Sequence, residues 1–220
     1  MTRALWFLCL MAVVAFVYAV FPDIDLKIAG LFYQNGHFPT QRAFVAEKLR
    51  TLGFVVPYAL LGALTLAYLA KRMGWVAARF APTGRSVIWL ALSLALGPGL
   101  LVNVVLKEQS HRPRPVQVQE FGGPWAFKPF YRFDGACKSN CSFVSGEAAS
   151  SFWTLAPASL APAPFKLPAM AAATVFAFSV SGLRMAFGGH FSSDVLFAAL
   201  FTLGIALALH RLLIPRENKT

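Results

Sequence analysis

The sequence predicts an all-α integral membrane protein of six transmembrane helices, and three observations predict it. The 220-residue chain is 57% hydrophobic with a mean hydropathy of +0.60, too apolar for an ordinary soluble domain. Its apolar residues are gathered in blocks, six of which approach the roughly 20 residues that a spanning helix needs. Between and beside these blocks stand a few ionisable residues, expensive in such surroundings and therefore a mark of function.

The first block, residues 4–21, is read as a span. A cleaved leader ending at Val17-Tyr18-Ala19 is the lesser reading, because the run is long enough to cross. In residues 22–51, Ile24, Ile28, Leu31 and Phe32 recur at helical spacing, as do Val45, Leu49 and Leu52. Two helices lying in the interface are expected there, joined by an Asn35-Gly36 turn. A partly ordered loop covering the bundle is the alternative.

The second and third spans are residues 52–70 and 86–106, the latter kinked or closely packed at Gly97-Pro98-Gly99. The segment 107–142, rich in Pro, Gly, aromatics and positive charge, is expected to form a folded outer lid. Cys137 and Cys141 within it would bridge in an oxidising compartment. The fourth, fifth and sixth spans are residues 143–163, 167–187 and 195–213. Trp6, Trp75, Trp89, Trp125 and Trp153 fall near inferred span ends, where interfacial anchoring is expected. One membrane domain, residues 1–220, accounts for the chain.

Six spans put both termini on one side. Lys71, Arg72, Arg79, Arg85, Lys166, Arg211, Arg216 and Lys219 share that side, which reads as cytoplasmic. The opposite side also carries Lys107, Arg112, Arg114, Lys128, Arg132, Lys138 and Arg184, several better explained as anion ligands. The net charge of +11 is divided between two faces with no nucleic-acid module, so anionic headgroups are the expected partner.

Three polar sets can meet on the outer face. Lys107 and Arg114-Pro115 follow the third span, Ser145-Gly146-Glu147 opens the fourth, and Arg184, His190 and Asp194 bracket the turn between the fifth and sixth. A helix starting after Ser145-Gly146 aims free amides and the positive end of its dipole at an anion. Lys107, Arg114 and Arg184 would complete a cationic cage suited to a phosphoryl group in its transition state. A neutral His190 can attack phosphorus, with Asp194 one helical turn later setting its tautomer.

These sets resemble the motifs of the type 2 phosphatidic acid phosphatase superfamily. Lys107 with Arg114-Pro115 fits the first motif completely. Val144-Ser145-Gly146-Glu147 stands where the second has Pro-Ser-Gly-His, and Leu183-Arg184 with His190 and Asp194 follows the third with Leu183 in place of serine. The resemblance implies that Lys107, Arg114, Ser145, Gly146 and Arg184 bind phosphate, that His190 becomes phosphohistidine, and that Asp194 orients it. Glu147 would protonate the leaving group, with His111 or a water as alternatives and a diphosphate needing less help.

The implied protein is a lipid phosphatase of a bacterial inner membrane, its site on the periplasmic face, acting on a lipid phosphate monoester or pyrophosphate. The substrate could be lipid A, undecaprenyl pyrophosphate, phosphatidylglycerol phosphate or phosphatidic acid. A basic outer segment with Lys128, Arg132 and Lys138 suits a headgroup with more than one negative charge. Phosphotransfer to a second lipid, or phospholipid binding or transport on the same scaffold, are the competing readings. No cofactor, metal or obligatory protein partner is implied beyond the bilayer and its lipid substrate.

Overall fold

The computed structural model describes residues 3–77 and 81–214; Arg79, Arg216 and Lys219, counted above toward the terminal face, lie outside the described residues. Among the described residues the regular structure is helical, with two isolated bridges and no extended strand. Four helices are long and apolar enough to cross a membrane, and a bent pair makes a fifth candidate.

That pair is α1 (Arg3–Val20) and α2 (Asp23–Gly30), which turns 85° away from it around Pro22. If α1 crosses the bilayer, α2 therefore lies along its surface, as the spacing of Ile24 and Ile28 predicts. The Asn35-Gly36 turn is present, with positive φ at both residues and a bridge between Gln34 and His37. The second interfacial helix is not separate: Val45, Leu49 and Leu52 belong to the start of α3 (Phe44–Arg72). Nothing between them and the following apolar run terminates a helix, so interfacial turn and span fuse.

The third span begins as α4 (Gly84–Leu94), capped by the Thr83 hydroxyl, widens into a π-helical run (Ala95–Leu106), and ends in one turn, α5 (Lys107–Gln109). Pro98 supplies no N–H to the ladder, and Asn103 Nδ2 donates to its carbonyl at 2.7 Å. A Cβ on Gly97 would lie 3.6 Å from the Thr202 Cα, so the Gly-Pro-Gly tract combines a helix irregularity with a close interhelical approach.

The fourth predicted span is not one continuous helix. Residues 143–163 hold no helix of crossing length but two short ones, α6 (Gly146–Trp153) and α7 (Leu155–Ala158). Hydroxyls of Ser151, Thr154 and Ser159 each donate to a carbonyl three residues back, and Pro157 removes a further N–H; both effects loosen the ladder. α6 packs against α3, α8 (Ala163–Ala186), α9 (Ser192–Leu213) and the π-helical run. Its Ala148 and Ala149 meet Ala177 and Ala198 in the main core cluster, small residues that let backbones come close. Hydropathy marks this block as apolar because protein surrounds it.

Two tryptophans are corrected on the same ground. Trp89 and Trp153 lie in the core, where their indole N–H groups donate to the Ala206 carbonyl and the Ser93 hydroxyl. Buried indoles need such partners.

Candidate active site

Every predicted set arrives at one end of the bundle. The π-helical run delivers Lys107, the N-terminus of α6 carries Ser145, Gly146 and Glu147, and the last turn of α8 carries Arg184. Two glycines then lead to His190 and to Asp194 in the first turn of α9. A Cβ on Gly189 would sit 2.9 Å from Arg184 Nη2, and one on Gly146 would sit 2.3 Å from Asn103 Oδ1. Neither site admits a side chain without moving a group of the cationic set, since Lys107 Nζ donates to that Asn103 oxygen at 3.2 Å.

His190 is 1% exposed. Its Nδ1 lies 2.8 Å from the Ser142 carbonyl; a carbonyl can only accept, so Nδ1 carries the hydrogen and Nε2 keeps a free lone pair. The expected direct bond from Asp194 is corrected, because its nearest oxygen is 3.8 Å from Nδ1. Asp194 instead accepts from the Ser142 hydroxyl and from the Phe191 amide. It acts on the ring through the residue whose carbonyl the ring meets. Burial above all, with the guanidinium groups of Arg184 and Arg114, lowers the His190 pKa to about 3.

Lys107, Arg114 and Arg184 lie within Coulombic reach of one another and of Glu147. Arg184 Nε is buried without a hydrogen-bond partner, the Glu147 carboxylate standing 3.5 Å away as an ion pair without hydrogen-bond geometry. Arg114 is held by Asn140, its Nη2 donating to both the backbone and side-chain oxygens at 2.8 and 2.9 Å. Ser145 caps α6, its hydroxyl oxygen accepting from the Ala148 amide at 3.3 Å. The Gly146 and Glu147 amides find no acceptor among the described residues and are the helix's available anion donors.

Glu147 departs from the sequence reading. Arg50 from α3, which the sequence reading missed, donates to its carboxylate through Nε at 3.1 Å and Nη2 at 3.0 Å. Arg184 Nε approaches the other oxygen at 3.5 Å. A carboxylate gripped this way is bound as an acceptor, the reverse of a group presenting a proton.

A second group of residues missed from the sequence braces the site from beneath. Arg112 is fully buried. Its Nη1 donates to Asp194 at 2.6 Å and to the Ser193 hydroxyl at 2.8 Å, its Nη2 to Asp25 of α2 at 2.8 Å, and its Nε to the Lys128 carbonyl at 2.8 Å. Asp25 also accepts from both Ser192 and Ser193 hydroxyls and from the Ser193 amide, while Tyr18 of α1 donates to Ser192 at 2.9 Å. The guanidinium packs over the Phe191 ring at 4.5 Å. Burial opposes the charge on Arg112, but Asp194 and Asp25 outweigh it and raise its pKa. Arg112 is thus a brace and not a ligand for an outside anion.

The two ends of the outer segment, residues 107–112 and 137–142, are laced to each other. Cys137 and Cys141 are joined in a disulfide. The amides of Cys137, Cys141 and Ser142 donate to the carbonyls of His111, Lys107 and Arg112, and His111 Nδ1 is taken by the Cys137 carbonyl at 2.9 Å. Lys128 and Arg132 converge on Asp134, which offsets one of their two charges within the segment. Because the disulfide closes the loop that presents Asn140 to Arg114, Cys137→Ser with Cys141→Ser should raise KM about tenfold and change kcat little. Steady-state phosphate release measures both, and an unchanged KM would show that Arg114 needs no such support.

Membrane helices that gather this many cations round a neutral histidine define a class of integral membrane protein built to handle phosphate esters. The sequence comparisons agree. The profile described as the PAP2 superfamily matches residues 86–218, and the chain belongs to that superfamily. It is 33% identical over 190 residues, 84% of this chain and 83% of the relative, to a lipid A 4'-phosphatase of Francisella tularensis subsp. novicida. Proteins of the same name from Rhizobium leguminosarum and Rhizobium etli are each 34% identical over 208 residues, 88% of this chain and 88% and 80% of theirs. No solved structure matches the chain.

Proposed function

We propose that the chain hydrolyses a phosphate monoester on a lipid A-type glycolipid through a phosphohistidine intermediate. It is a phosphatase acting on a lipid phosphomonoester. The observation that carries the mechanism is the free lone pair of His190 Nε2 at the end of the bundle where Lys107, Arg114 and Arg184 gather, with a buried Arg184 Nε whose approach to Glu147, at 3.5 Å, falls short of a hydrogen bond. A phosphoryl oxygen would satisfy the arginine while phosphorus meets the imidazole. Lys107, Arg114 and the amides of Gly146 and Glu147 would share the remaining oxygens.

His190 Nε2 attacks phosphorus and the sugar oxygen leaves, taking its proton from water. A second water then cleaves the P–N bond and releases inorganic phosphate. Glu147 stays paired with Arg50 and Arg184 and sets their positions. Glu147→Gln should therefore keep kcat within about tenfold, whereas loss of a general acid costs about 10²–10⁴-fold. A fall of that size in phosphate release would return the acid role to Glu147.

The protein lies in a bacterial inner membrane with six passes and its site on the periplasmic face. Supporting six passes, the cavity lined by residues 81–83 before α4 is also lined by residues 160–162 after α7, so the broken segment α6–α7 runs from the site end to the opposite end. The outer segment, residues 107–142, serves as a lid over His190. The test of function is phosphate release by the purified protein in detergent from lipid A, undecaprenyl pyrophosphate, phosphatidylglycerol phosphate and phosphatidic acid, with His190→Ala as control. Release from lipid A, lost in the control, is the expected result. Preference for any of the other three would overturn the substrate assignment.

A further inference from the structure

The opposite end of the bundle carries a second set of cations that the chemistry at His190 does not use. α1 meets α9 where Phe7 packs against bare backbone at Gly204, a Cβ there falling 3.0 Å from the ring. Beyond that contact the helices part around a cavity of about 1250 Å³, lined by Leu8, Ile88 and Leu207 and by Arg85, His210 and Arg211. Its α4–α9 wall is fixed by the Trp89 indole, which donates to the Ala206 carbonyl at 2.8 Å and meets the His210 ring edge-on at 4.9 Å.

The charge distribution says what fills it. On the described part of this face stand Lys71, Arg72, Arg85, Lys166 and Arg211, and no acidic residue among the described ones accompanies them; those acids lie in the outer segments or the site-end turns. None of Arg85, His210 and Arg211 has an ion-pair partner among the described residues. Leu8, Ile88 and Leu207 are each about half exposed, at 53%, 53% and 51%. A cationic rim over an apolar trough, at the level where lipid headgroups begin, matches an anionic phospholipid in both its parts.

We propose that this groove is a binding site for an anionic glycerophospholipid of the leaflet opposite the catalytic face. Its phosphate sits between Arg85 and Arg211 beside His210, and an acyl chain lies along Leu8, Ile88 and Leu207. The ligand is a phosphodiester, bound and not turned over, so the site is independent of the reaction at His190.

Native mass spectrometry of the full chain purified in detergent, with phosphatidylglycerol and phosphatidylcholine of identical chains, tests it. Phosphatidylglycerol should be retained with about tenfold preference, and His190→Ala should keep that preference, which separates this groove from the catalytic site. Arg85→Gln with Arg211→Gln should abolish the preference while the thermal transition stays at the wild-type temperature. Equal retention of the two lipids, or a preference that survives the double substitution, overturns the proposal. So does displacement of phosphatidylglycerol by millimolar inorganic phosphate, which would make the groove a site for the free ion.

Discussion

Replacing His190 with alanine should abolish phosphate release, by at least about four orders of magnitude, because the proposed mechanism makes its Nε2 the atom that attacks phosphorus. The ring lies buried, so its removal leaves a cavity, but it leaves no charge unpaired, and the protein should still fold. A quenched reaction of the wild type with labelled substrate should trap label on this residue. The pH response is distinctive. With its pKa near 3, His190 remains neutral from pH 7 to pH 5, whereas the neutral fraction of an ordinary imidazole would fall about 25-fold over that range. Single-turnover phosphohistidine formation should therefore stay flat there once ionisation of the substrate is allowed for. A drop of that size would mean the ring titrates normally. Stability should move the other way. Below its unfolded pKa of 6.5 the unfolded state gains a proton that the folded state refuses until about 3, so this group lowers stability as pH falls through that window.

The site was legible in the sequence to the extent that it is built from charges stranded at the ends of apolar blocks. Lys107, Glu147, Arg184, His190 and Asp194 announce themselves because nothing but function or a partner would keep them there. Asp25 does not. It shares a short amphipathic helix with Asp23, and only the 85° turn after α1 and two serines 167 and 168 positions later distinguish them. Arg112 and Arg114 are two residues apart with opposite duties, one turned into the protein and one held at the site by Asn140. Spacing alone cannot divide those roles, since the direction of a side chain in an irregular segment depends on its backbone path. Arg50 was invisible for a related reason: its importance rests on Glu147, 97 residues away. The fold was legible where lipid is the surroundings and misread at α6, where neighbouring helices are equally apolar surroundings.

The second large effect is expected at Arg112. It stands between two buried carboxylates, Asp25 at 2.8 Å and Asp194 at 2.6 Å, and neutralises both. Exchanging such an ion-pair centre for a well-fitted apolar group can be harmless, but removing one partner strands the other. Arg112→Ala strands two, at a cost of about 3–5 kcal/mol for breaking such a pair, and the protein should accumulate poorly. Arg112→Lys is the informative variant. It keeps the charge and loses the planar fork that reaches Asp25, Ser193 and Asp194 at once. Asp194 would then be free to shift and would carry Ser142 with it, turning the carbonyl that holds His190 Nδ1. kcat should fall about 100-fold while KM moves only a few-fold, because the proposed phosphate ligands Lys107, Arg114 and Arg184 are untouched. Asp25→Asn keeps the serine bonds and should be milder. Combined with Arg112→Lys it should lose less than the two separate losses predict, as expected of groups in one network. An Arg112→Lys protein with wild-type kcat would show that the brace contributes stability alone, and that the Ser142 carbonyl holds the imidazole without help from α2.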